Sequence, residues 1–418
     1  MLKLAQPVFR ILYAQEKEWR LKMRDLVISE LKGCFDFFWQ CANSDKSSPG
    51  YGLVLDKNKK GSERMASIAS VGFGLSALVI GAERGFVTKA EANERAVGTL
   101  KTCLRNAAQA HGFLYHFLDM KTAGKHQEFY DCASVIDTSI LLNGALTAAE
   151  YFKGEAAALF EEMYAKVNWQ KYYDAERNLY YMGYQEDTGG FGQWDMYAEQ
   201  LMQYILGVAS PTFPVPPRIY DGFNRDLGEY GGYSFYNSPA GSLFTHQFSH
   251  GWYDFKGVVD GDGINWYDNS VKATLAARQY SIDNPKGFKT FHKNAWGLTA
   301  CEGPEGYRGF GTPPFHPNCK DGNDGTVPPC GAIGSIIFTP EIVLDAMAHY
   351  ATIPGLIGPY GFNDAYNLDV NWVCDFCIGI DKGISIIMLE NYLSGMVHEL
   401  YMGNEYVKKA TRLLGWRK

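Results

Sequence analysis

Apolar residues recur at helical spacing along most of this chain, and the segments that carry them mostly follow one another in pairs. Residues 67–85, SIASVGFGLSALVIGAERG, are apolar on almost every face, which predicts a buried helix. The next segment opens with Thr88 as N-cap and Glu91 at the capping-box position. Roughly eleven such segments, with few convincing strands, predict an all-α fold, a single closed ring of about six inner and about six outer helices. A helical-repeat solenoid is the alternative, but no fixed sequence period supports it.

The sequence predicts one structural domain, because no low-complexity linker divides its 418 residues. We expect residues 1–60 to form an N-terminal helix and lead-in packed on the ring, and residues 61–418 to form the ring itself. Two segments, 209–265 and 303–335, are rich in Gly, Pro and aromatic residues and are predicted to be ordered loops, the first with a short hairpin. Long ordered loops usually carry function, and in a helical barrel they would gather at one mouth.

The composition of the chain indicates which classes of molecule it could bind. The net charge is −7 and no run of Lys or Arg is present, which argues against a nucleic-acid partner. Aromatic residues make up 15% of the chain, and in Gly-rich loops they favour a carbohydrate site because sugar faces stack on flat apolar rings. The nine cysteines lack the spacing of a disulfide scaffold, so reduced, buried thiols are expected.

The sequence also bears on location. No apolar run is long enough to span a bilayer, and we expect no membrane partner. Lys3 and Arg10 interrupt the short apolar stretch at the N-terminus, which makes it a poor signal peptide. The chain as it stands is expected in the cytoplasm, or in the periplasm or outside the cell if a leader has been trimmed. A closed barrel of one domain is expected to be a monomer.

The stretch WDMYAEQ, residues 194–200, places two acids four positions apart. On a helix, Asp195 and Glu199 point the same way, and like charges at this spacing repel mildly. They could form a solvated face, or Asp195 could favour the helix N-terminus. The residues that follow are apolar, so the helix is expected to be buried, and a buried acid needs a reason such as a site. Both interpretations of Glu199 stay open.

Three further acids interrupt apolar or aromatic segments. Asp137, in SVIDTSILL, is either an N-cap or an inward-facing acid at the mouth of the ring, and Asp131 is either its partner or a loop acid. Asp381 opens a strongly apolar helix, where it is either an N-cap or part of a site. Asp364 lies in the aromatic segment GPYGFNDAYN.

The stretch HKNAWGLTACEG is predicted to be a short helix, and PEGYRGFG continues it into a loop. Together they place Glu302 and Glu305 close to Tyr307 and Arg308. Tyr307 could stack on a sugar, and Arg308 could donate a fork of hydrogen bonds to hydroxyls or anchor a loop acid.

In FTHQFSHGWYDF, His246 and His250 have the i, i+4 spacing of some zinc sites. No third ligand is obvious, so hydroxyl binding or a place in the core is the expected role of these histidines, and no metal is expected.

The sequence contains no nucleophile elbow, phosphate-binding loop or dinucleotide fingerprint. The remaining candidates for catalysis are carboxyl groups that lie among aromatic residues. Hydrolysis of a glycosidic bond uses two carboxyl groups. One protonates the leaving oxygen, and the other activates water or attacks directly, depending on their separation.

Several stretches together resemble a known family, and in chain order they are SVIDTSILLNGAL, WDMYAEQLMQYILGVASPT, SLFTHQFSHGWYDFKG, DNSVKATLAARQYSID, WGLTACEGPEGYRGFGTPP, DGTVPPCGAIGSIIFTPE, GPYGFNDAYNL and IGIDKGISIIMLENYLSG. They resemble the glycoamylase-like domain of the β-1,2-glucanases of glycoside hydrolase family 144, from about residue 60 to the C-terminus. Segment 315–324, FHPNCKDGND, departs from the family and could close one end of the site, which would favour exo-cleavage.

The resemblance implies an (α/α)6 barrel that hydrolyses β-1,2-glucan to short oligosaccharides with inversion and without a metal or other cofactor. It implies Glu199 as general acid and Asp381 as base, with Asp137 as the second choice for the base. Burial and the Asp195 carboxylate are expected to raise the pKa of Glu199. The residues implied in substrate binding are Trp194, Asp195, His250, Trp252, Glu302, Tyr307, Arg308, Phe362 and Asp364.

Other functions stay open at this point. One is an exo-acting β-1,2-glucosidase or sophorose-releasing enzyme, and another is a transglycosylase or phosphorylase on the same linkage. A phosphorylase would need a basic phosphate pocket, for which Arg308 and Lys382 are the obvious candidates. From a different class, a non-catalytic glucan-binding protein would use the same acids structurally.

Overall fold

The computed structural model describes residues 5–126 and 132–418, with side chains from residue 17 onward, so Asp131 lies outside the described residues. The described chain is mainly helical. Its α-helices are α1 Ala5–Gln40, α2 Ile68–Glu83, α3 Lys89–Arg105, α4 Val135–Phe152, α5 Gly154–Lys166, α6 Leu201–Ala209, α7 Phe248–Trp252, α8 Trp266–Asp283, α9 Pro329–Ile333, α10 Pro340–Tyr350, α11 Gly379–Leu393, α12 Met396–Gly403 and α13 Glu405–Leu413.

Short strands decorate this helical frame as small antiparallel sheets, mostly two-stranded hairpins. They are β1 Met65–Ser67, β2 Gln109–Ala110, β3 Phe113–Leu114, β4 Phe117–Asp119, β5 Ala133–Ser134, β6 Tyr173–Asp174, β7 Leu179–Tyr180, β8 Gly183–Gln185, β9 Gly189–Phe191, β10 Leu227–Tyr230, β11 Tyr233–Tyr236, β12 Ala300–Gly303, β13 Gly306–Gly309, β14 Ile357–Gly358, β15 Gly361–Phe362, β16 Tyr366–Asn367 and β17 Trp372–Val373. Elements of two to four residues are too short to show a period of two in the sequence.

The centre of the molecule is a row of buried helices in the order α11, α2, α4 and α6, each packed on the next. Glycines let these helices approach closely. A Cβ on Gly144 would lie 1.9 Å from the carbonyl oxygen of Gly72, so α4 can cross α2 at this distance only without a side chain there. The amphipathic helices α3 and α5 cover the outside, α1 packs on α2 and α11, and α13 packs on α6.

The predicted helix over WDMYAEQLMQYILGVAS begins seven residues later than expected, at Leu201. The side chain of Gln200 explains the late start, because it bonds to the backbone of the preceding turn. Its Oε1 accepts the N–H of Ala198 at 2.8 Å, and its Nε2 donates to the carbonyl of Met196 at 2.5 Å. These bonds stabilise a non-helical turn, as polar side chains near helix ends often do. Asp195 and Glu199 therefore do not share a helix face.

Two other sequence predictions have opposite outcomes. The helix predicted over HKNAWGLTACEG is wrong, because residues 300–303 form β12, which pairs with β13 in a hairpin. The hairpin predicted within residues 209–265 is confirmed as β10–β11. No helix among the described residues is both long and apolar enough to cross a membrane.

Candidate active site

Glu199 lies just before α6 in the turn that Gln200 stabilises, and its side chain is buried. Its backbone carbonyl accepts a hydrogen bond from the Ser249 hydroxyl at 2.5 Å, and the same hydroxyl accepts the N–H of Met202 at 3.1 Å. Burial, and to a lesser extent the negative charge of Asp137, raises the pKa of Glu199 to about 7. A carboxyl group with this pKa is protonated at mildly acidic pH and about half protonated at neutral pH, so it can donate a proton.

Asp137 lies in the first turn of α4 and is buried near Glu199. It is not the N-cap, because Ser134 occupies that position and accepts the N–H of Asp137 on its hydroxyl. The Ser134 hydroxyl also donates to the Asp137 carboxylate, and His116 Nε2 lies 3.7 Å from that carboxylate. The sequence alternative of an inward-facing acid therefore describes Asp137 better than the N-cap alternative.

A second group of acids brings Asp364, Asp381 and Glu302 together. Asp364 Oδ2 accepts the backbone N–H of Glu302 at 2.7 Å, and Asp381 Oδ1 accepts the thiol of Cys330 at 3.3 Å. The carboxyl groups of Asp364 and Asp381 interact strongly enough that each changes the pKa of the other. Burial raises the pKa of both, and the neighbouring Asp364 raises that of Asp381 further. Two adjacent buried carboxyl groups cannot both ionise at low cost, so this pair shares one proton.

Asp381 is also not an N-cap. The N-cap position of α11 belongs to Ile378, and Asp381 follows in the first helical turn. Its carbonyl accepts the hydroxyl of Ser385, one turn along the same helix. The side chain is thereby left to interact with Asp364 and Cys330.

Asp56 interacts electrostatically with one acid of each group, Asp137 and Glu302, and no sequence pattern predicted its place in the site. Burial raises the pKa of Asp56, the Lys57 and His116 charges lower it, and the charges of Asp137 and Glu302 raise it. Its backbone is fixed on both sides, since its N–H donates to Met65 and its carbonyl accepts the N–H of Gly379 at the start of α11. No local pattern identifies Asp56, because it lies in an irregular segment whose position depends on α11.

Two lysines accompany the second group of acids and were also missed. Lys59 Nζ lies 2.9 Å from Glu302 Oε1, and Lys57 Nζ lies 3.8 Å from Glu302 Oε2. The Glu302 side chain is almost fully buried, whereas that of Lys59 is nearly half exposed. Glu302 therefore carries a paired charge at the edge of the site.

Tyr307 and Arg308, on the β12–β13 hairpin, differ in their surroundings. Tyr307 is 49% exposed, and the burial of its hydroxyl and then the Asp381 charge raise its pKa. Tyr307 is thus an exposed aromatic side chain beside the second group of acids, as expected for a sugar-binding residue. Arg308 is paired with Glu305 at the tip of the hairpin, the loop-anchoring alternative of the sequence analysis.

Four predicted substrate-binding side chains are in the core instead. Trp252 and His250 are 0% and 1% exposed, and Trp194 and Phe362 are also buried. Trp252 Nε1 donates to the Ser76 hydroxyl at 3.1 Å, and the His250 Nε2 lies 3.0 Å from the Ser270 hydroxyl. None of these four rings has an exposed face, so the structure argues against their predicted role in substrate binding.

The prediction for Asp195 also needs correction. Its side chain is 41% exposed and lies 3.6 Å from the Arg177 guanidinium. The acid that raises the pKa of Glu199 is Asp137 and not Asp195. Asp195 is therefore a solvated acid, which was the alternative interpretation. Across residues 5–126 and 132–418, no group of three or more His, Cys, Asp or Glu side chains could hold a metal ion.

Comparison with known proteins identifies relatives of this chain. A family model described as "Putative glucoamylase" matches residues 191–405, which is 215 of the 418 residues. A curated protein of Parabacteroides distasonis, "Exo beta-1,2-glucooligosaccharide sophorohydrolase (non-reducing end)", is 28% identical, and the alignment covers 90% of this chain and 56% of the relative. The chain thus spans little more than half the length of that relative.

Solved structures extend the likeness to nearly the whole chain. An endo-β-1,2-glucanase from Chitinophaga pinensis, in complex with sophorotriose and glucose, has a TM-score of 0.85 at 26% identity, with 95% of this chain and 99% of that chain covered. A β-1,2-glucanase from Parabacteroides distasonis has a TM-score of 0.85 at 25% identity, with 94% and 60% covered. This agreement confirms the all-α barrel of paired helices predicted from the sequence.

Proposed function

The chain belongs to the glycoamylase family, and we propose that it is a glycoside hydrolase that cleaves β-1,2-linked glucan or its oligosaccharides. The linkage is suggested by the relatives, which are named for β-1,2-glucans and β-1,2-gluco-oligosaccharides. The reaction is suggested by the acids themselves, since the charges of Asp137 in one group and of Glu302 in the other both raise the pKa of Asp56.

The observation that carries the proposal is the raised pKa of Glu199. With a pKa of about 7, this buried carboxyl keeps its proton at mildly acidic pH and can give it to the glycosidic oxygen as the bond breaks. Asp137, close enough to raise this pKa, favours the protonated form. In this proposal Glu199 is the general acid, and Asp137 tunes its pKa instead of acting as the base.

The base in our proposal is the pair of Asp364 and Asp381 together. Asp364 accepts a backbone N–H, which favours its charged form, so the shared proton resides mainly on Asp381. Both carboxyls are buried, so a water or hydroxyl must pass the proton from the attacking water to the pair. The Tyr307 hydroxyl is our candidate for this proton relay, because the charges of both aspartates raise its pKa. Attack by water on the face opposite Glu199 would invert the anomeric configuration.

A phosphorylase is less well supported, because both candidates for a phosphate pocket are already paired with acids. Lys382 is paired with Glu30 and buried, and Arg308 is paired with Glu305.

An exo-acting hydrolase is the better supported second candidate. Segment 315–324 is anchored to the helical frame, since Asp321 accepts the Tyr280 hydroxyl at 2.6 Å and pairs with Lys286 at 2.9 Å. A fixed segment of this kind could block one end of a binding site.

The test is a time course of the wild-type protein with linear β-1,2-glucan, beside β-1,3-, β-1,4- and α-1,4-glucans, with products separated by chromatography. We expect products from the β-1,2-linked chain alone. A ladder of oligosaccharides would indicate endo-cleavage, and a single small sugar from the first minutes would indicate exo-cleavage. Longer chains than the substrate would indicate transglycosylation. Retained glucan binding without any product would refute the proposed hydrolase and favour a binding protein.

A further inference from the structure

A buried ion pair connects the N-terminal helix α1 to the helix that carries Asp381. Lys382 Nζ donates to Glu30 Oε1 at 2.8 Å, and the two side chains are 5% and 3% exposed. Glu30 accepts two further bonds, from the N–H of Phe362 at 2.7 Å and from the Cys34 thiol at 3.3 Å. Burying two charges is costly unless their remaining bonds are satisfied, and here the carboxylate has three donors.

This ion pair lies beside the Asp364–Asp381 pair. Lys382 follows Asp381 directly in α11, and the Phe362 N–H that binds Glu30 is two residues before Asp364. Glu30, Lys382, Asp364 and Asp381 all line one small cavity of about 10 Å³. That volume is enough for about one water molecule. Lys382 and the acid pair therefore line the same small cavity, and the Lys382 charge lowers the pKa of Asp364.

The other charged groups around the acid pair come from two further elements. Asp56 faces it from the segment before β1, and Glu302 faces it from β12. Lys57 and Lys59 lie beyond Glu302 and are paired with it. The neutral groups nearby are the thiols of Cys301, Cys330 and Cys374 and the hydroxyl of Tyr307.

Burial favours neutral carboxyls, and the added negative charges of Asp56 and Glu302 favour them still more. Without an opposing charge, the acid pair would therefore hold its protons to higher pH. Lys382 is the buried cation that opposes this tendency, since its charge favours the ionised form of Asp364. Glu30 keeps Lys382 charged and in place, although it lies on a helix that contributes no acid to the site.

We propose that Lys382 and Glu30 are positioning residues that keep one negative charge on the Asp364–Asp381 pair, so that α1 is part of the catalytic machinery. The proposal rests on the role given above to the acid pair as base. It assigns to the N-terminal helix a task other than packing. It also explains why two charges are buried at a distance from solvent, where an apolar pair of similar volume would be as stable or more so.

The test replaces both charges at once, because removing a single partner would leave a buried unpaired charge and could prevent folding. The double variant Glu30→Gln/Lys382→Met removes the ion pair and keeps an oxygen acceptor for the Phe362 N–H. The matched control is Arg84→Met/Glu390→Gln. Arg84 donates to Glu390 at 2.8 and 2.9 Å, and Glu390 lies on the same helix as Lys382 but away from the acid pair.

The first readout is the pH profile of kcat/KM on β-1,2-glucan. A base must be ionised to work, so raising its pKa moves the acid limb of the profile to higher pH. We expect an upward shift of about one pH unit in Glu30→Gln/Lys382→Met, and so roughly tenfold lower activity at pH below the limb. Lys382→Arg retains the charge and should retain the acid limb. An unshifted limb in the double variant, or an equal shift in the control, would overturn the proposal.

The second readout does not depend on turnover. Aspartate labelled with ¹³C at the side-chain carboxyl is titrated by NMR in both double variants, with Asp364→Asn and Asp381→Asn used to assign the signals. We expect the ionisation midpoint of the acid pair to rise by about one pH unit in Glu30→Gln/Lys382→Met and to stay constant in the control. An unchanged midpoint would overturn the proposal even if the wild type proved inactive on glucan. A shifted midpoint with an inactive wild type would refute only the proposed function.

Discussion

Asp364 Oδ2 accepts the backbone N–H of Glu302 at 2.7 Å, which fixes one member of the buried acid pair to the hairpin that carries Tyr307. The two residues are 62 positions apart in the sequence, and this bond joins them at one site. A carboxylate that accepts a backbone N–H is stabilised in its charged form. The bond therefore favours Asp364, instead of Asp381, as the charged member of the pair.

We predict that Asp364→Asn lowers kcat by roughly a hundredfold or more, since a positioned base typically contributes that much. The amide can still accept the Glu302 N–H, so the fold should be retained. Glu305→Gln is the matched control, because Glu305 is an exposed acid at the tip of the same hairpin. Steady-state kinetics on β-1,2-glucan gives the comparison. Similar kcat values for Asp364→Asn and wild type would contradict the assignment of the base.

Asp137 should act through the pKa of Glu199. Its negative charge is one cause of the raised pKa, so Asp137→Asn should lower that pKa. The general acid must be protonated, so activity is lost as pH rises through its pKa, and the alkaline limb should move to lower pH by about half a unit. The pH dependence of kcat/KM measures this shift. A limb that stays in place while the overall rate falls would instead favour a direct catalytic role for Asp137.

The same pKa has a consequence for stability. Glu199 has a pKa of about 7 in the folded state against 4.5 for an ordinary glutamate, so the folded chain binds more protons between these values. The free energy of unfolding therefore falls as pH rises through this window, by up to about 3 kcal/mol. Glu199→Gln does not titrate, so it should gain stability relative to wild type between pH 5 and pH 8. Urea unfolding at both pH values measures the difference, and an equal effect of the substitution at both would contradict the raised pKa.

The crossing of α2 and α4 should tolerate no side chain at Gly144. The added Cβ would lie 1.9 Å from the Gly72 carbonyl oxygen, which belongs to a backbone that cannot move independently. Gly144→Ala should therefore lower the free energy of unfolding by roughly 3 kcal/mol or more. Gly403→Ala, in α12 with nothing near its Cβ, is the matched control and should be neutral or slightly stabilising. Equal melting temperatures for the two variants would contradict the close approach.

The sequence predicted the elements whose pattern extends over many consecutive residues. The apolar periodicity of α2, α4 and α11 and the capping box of α3 all appear as expected. The start of α6 was predicted wrongly because side-chain bonds from Gln200 compete with the helix, and such bonds leave no periodic pattern. Strands of two or three residues were missed for a similar reason, since alternation needs a longer run.

The residues of the candidate site also divide into those with a local sequence signal and those without one. Glu199, Asp137, Asp364 and Asp381 could be found because an acid inside an apolar or aromatic segment stands out. Asp56 could not, because its surroundings are contributed by residues far away in the chain. The opposite error concerns the aromatic rings, which were predicted to bind substrate but are buried in the core. Trp252 lies in a Gly-rich segment like a sugar-binding ring, but whether its face is exposed depends on helices that pack over it.

The most direct test of the proposed role of Glu199 compares Glu199→Gln with Asp195→Asn in single-turnover and steady-state hydrolysis of linear β-1,2-glucan. The two acids are four positions apart, but Glu199 is buried with a pKa of about 7 and Asp195 is exposed beside Arg177. We predict a loss of roughly 10²–10⁴-fold in kcat for Glu199→Gln. Asp195→Asn should remain within about twofold of wild type, as expected for an exposed residue outside the site. Hydrolysis by Glu199→Gln at the wild-type rate would contradict the account.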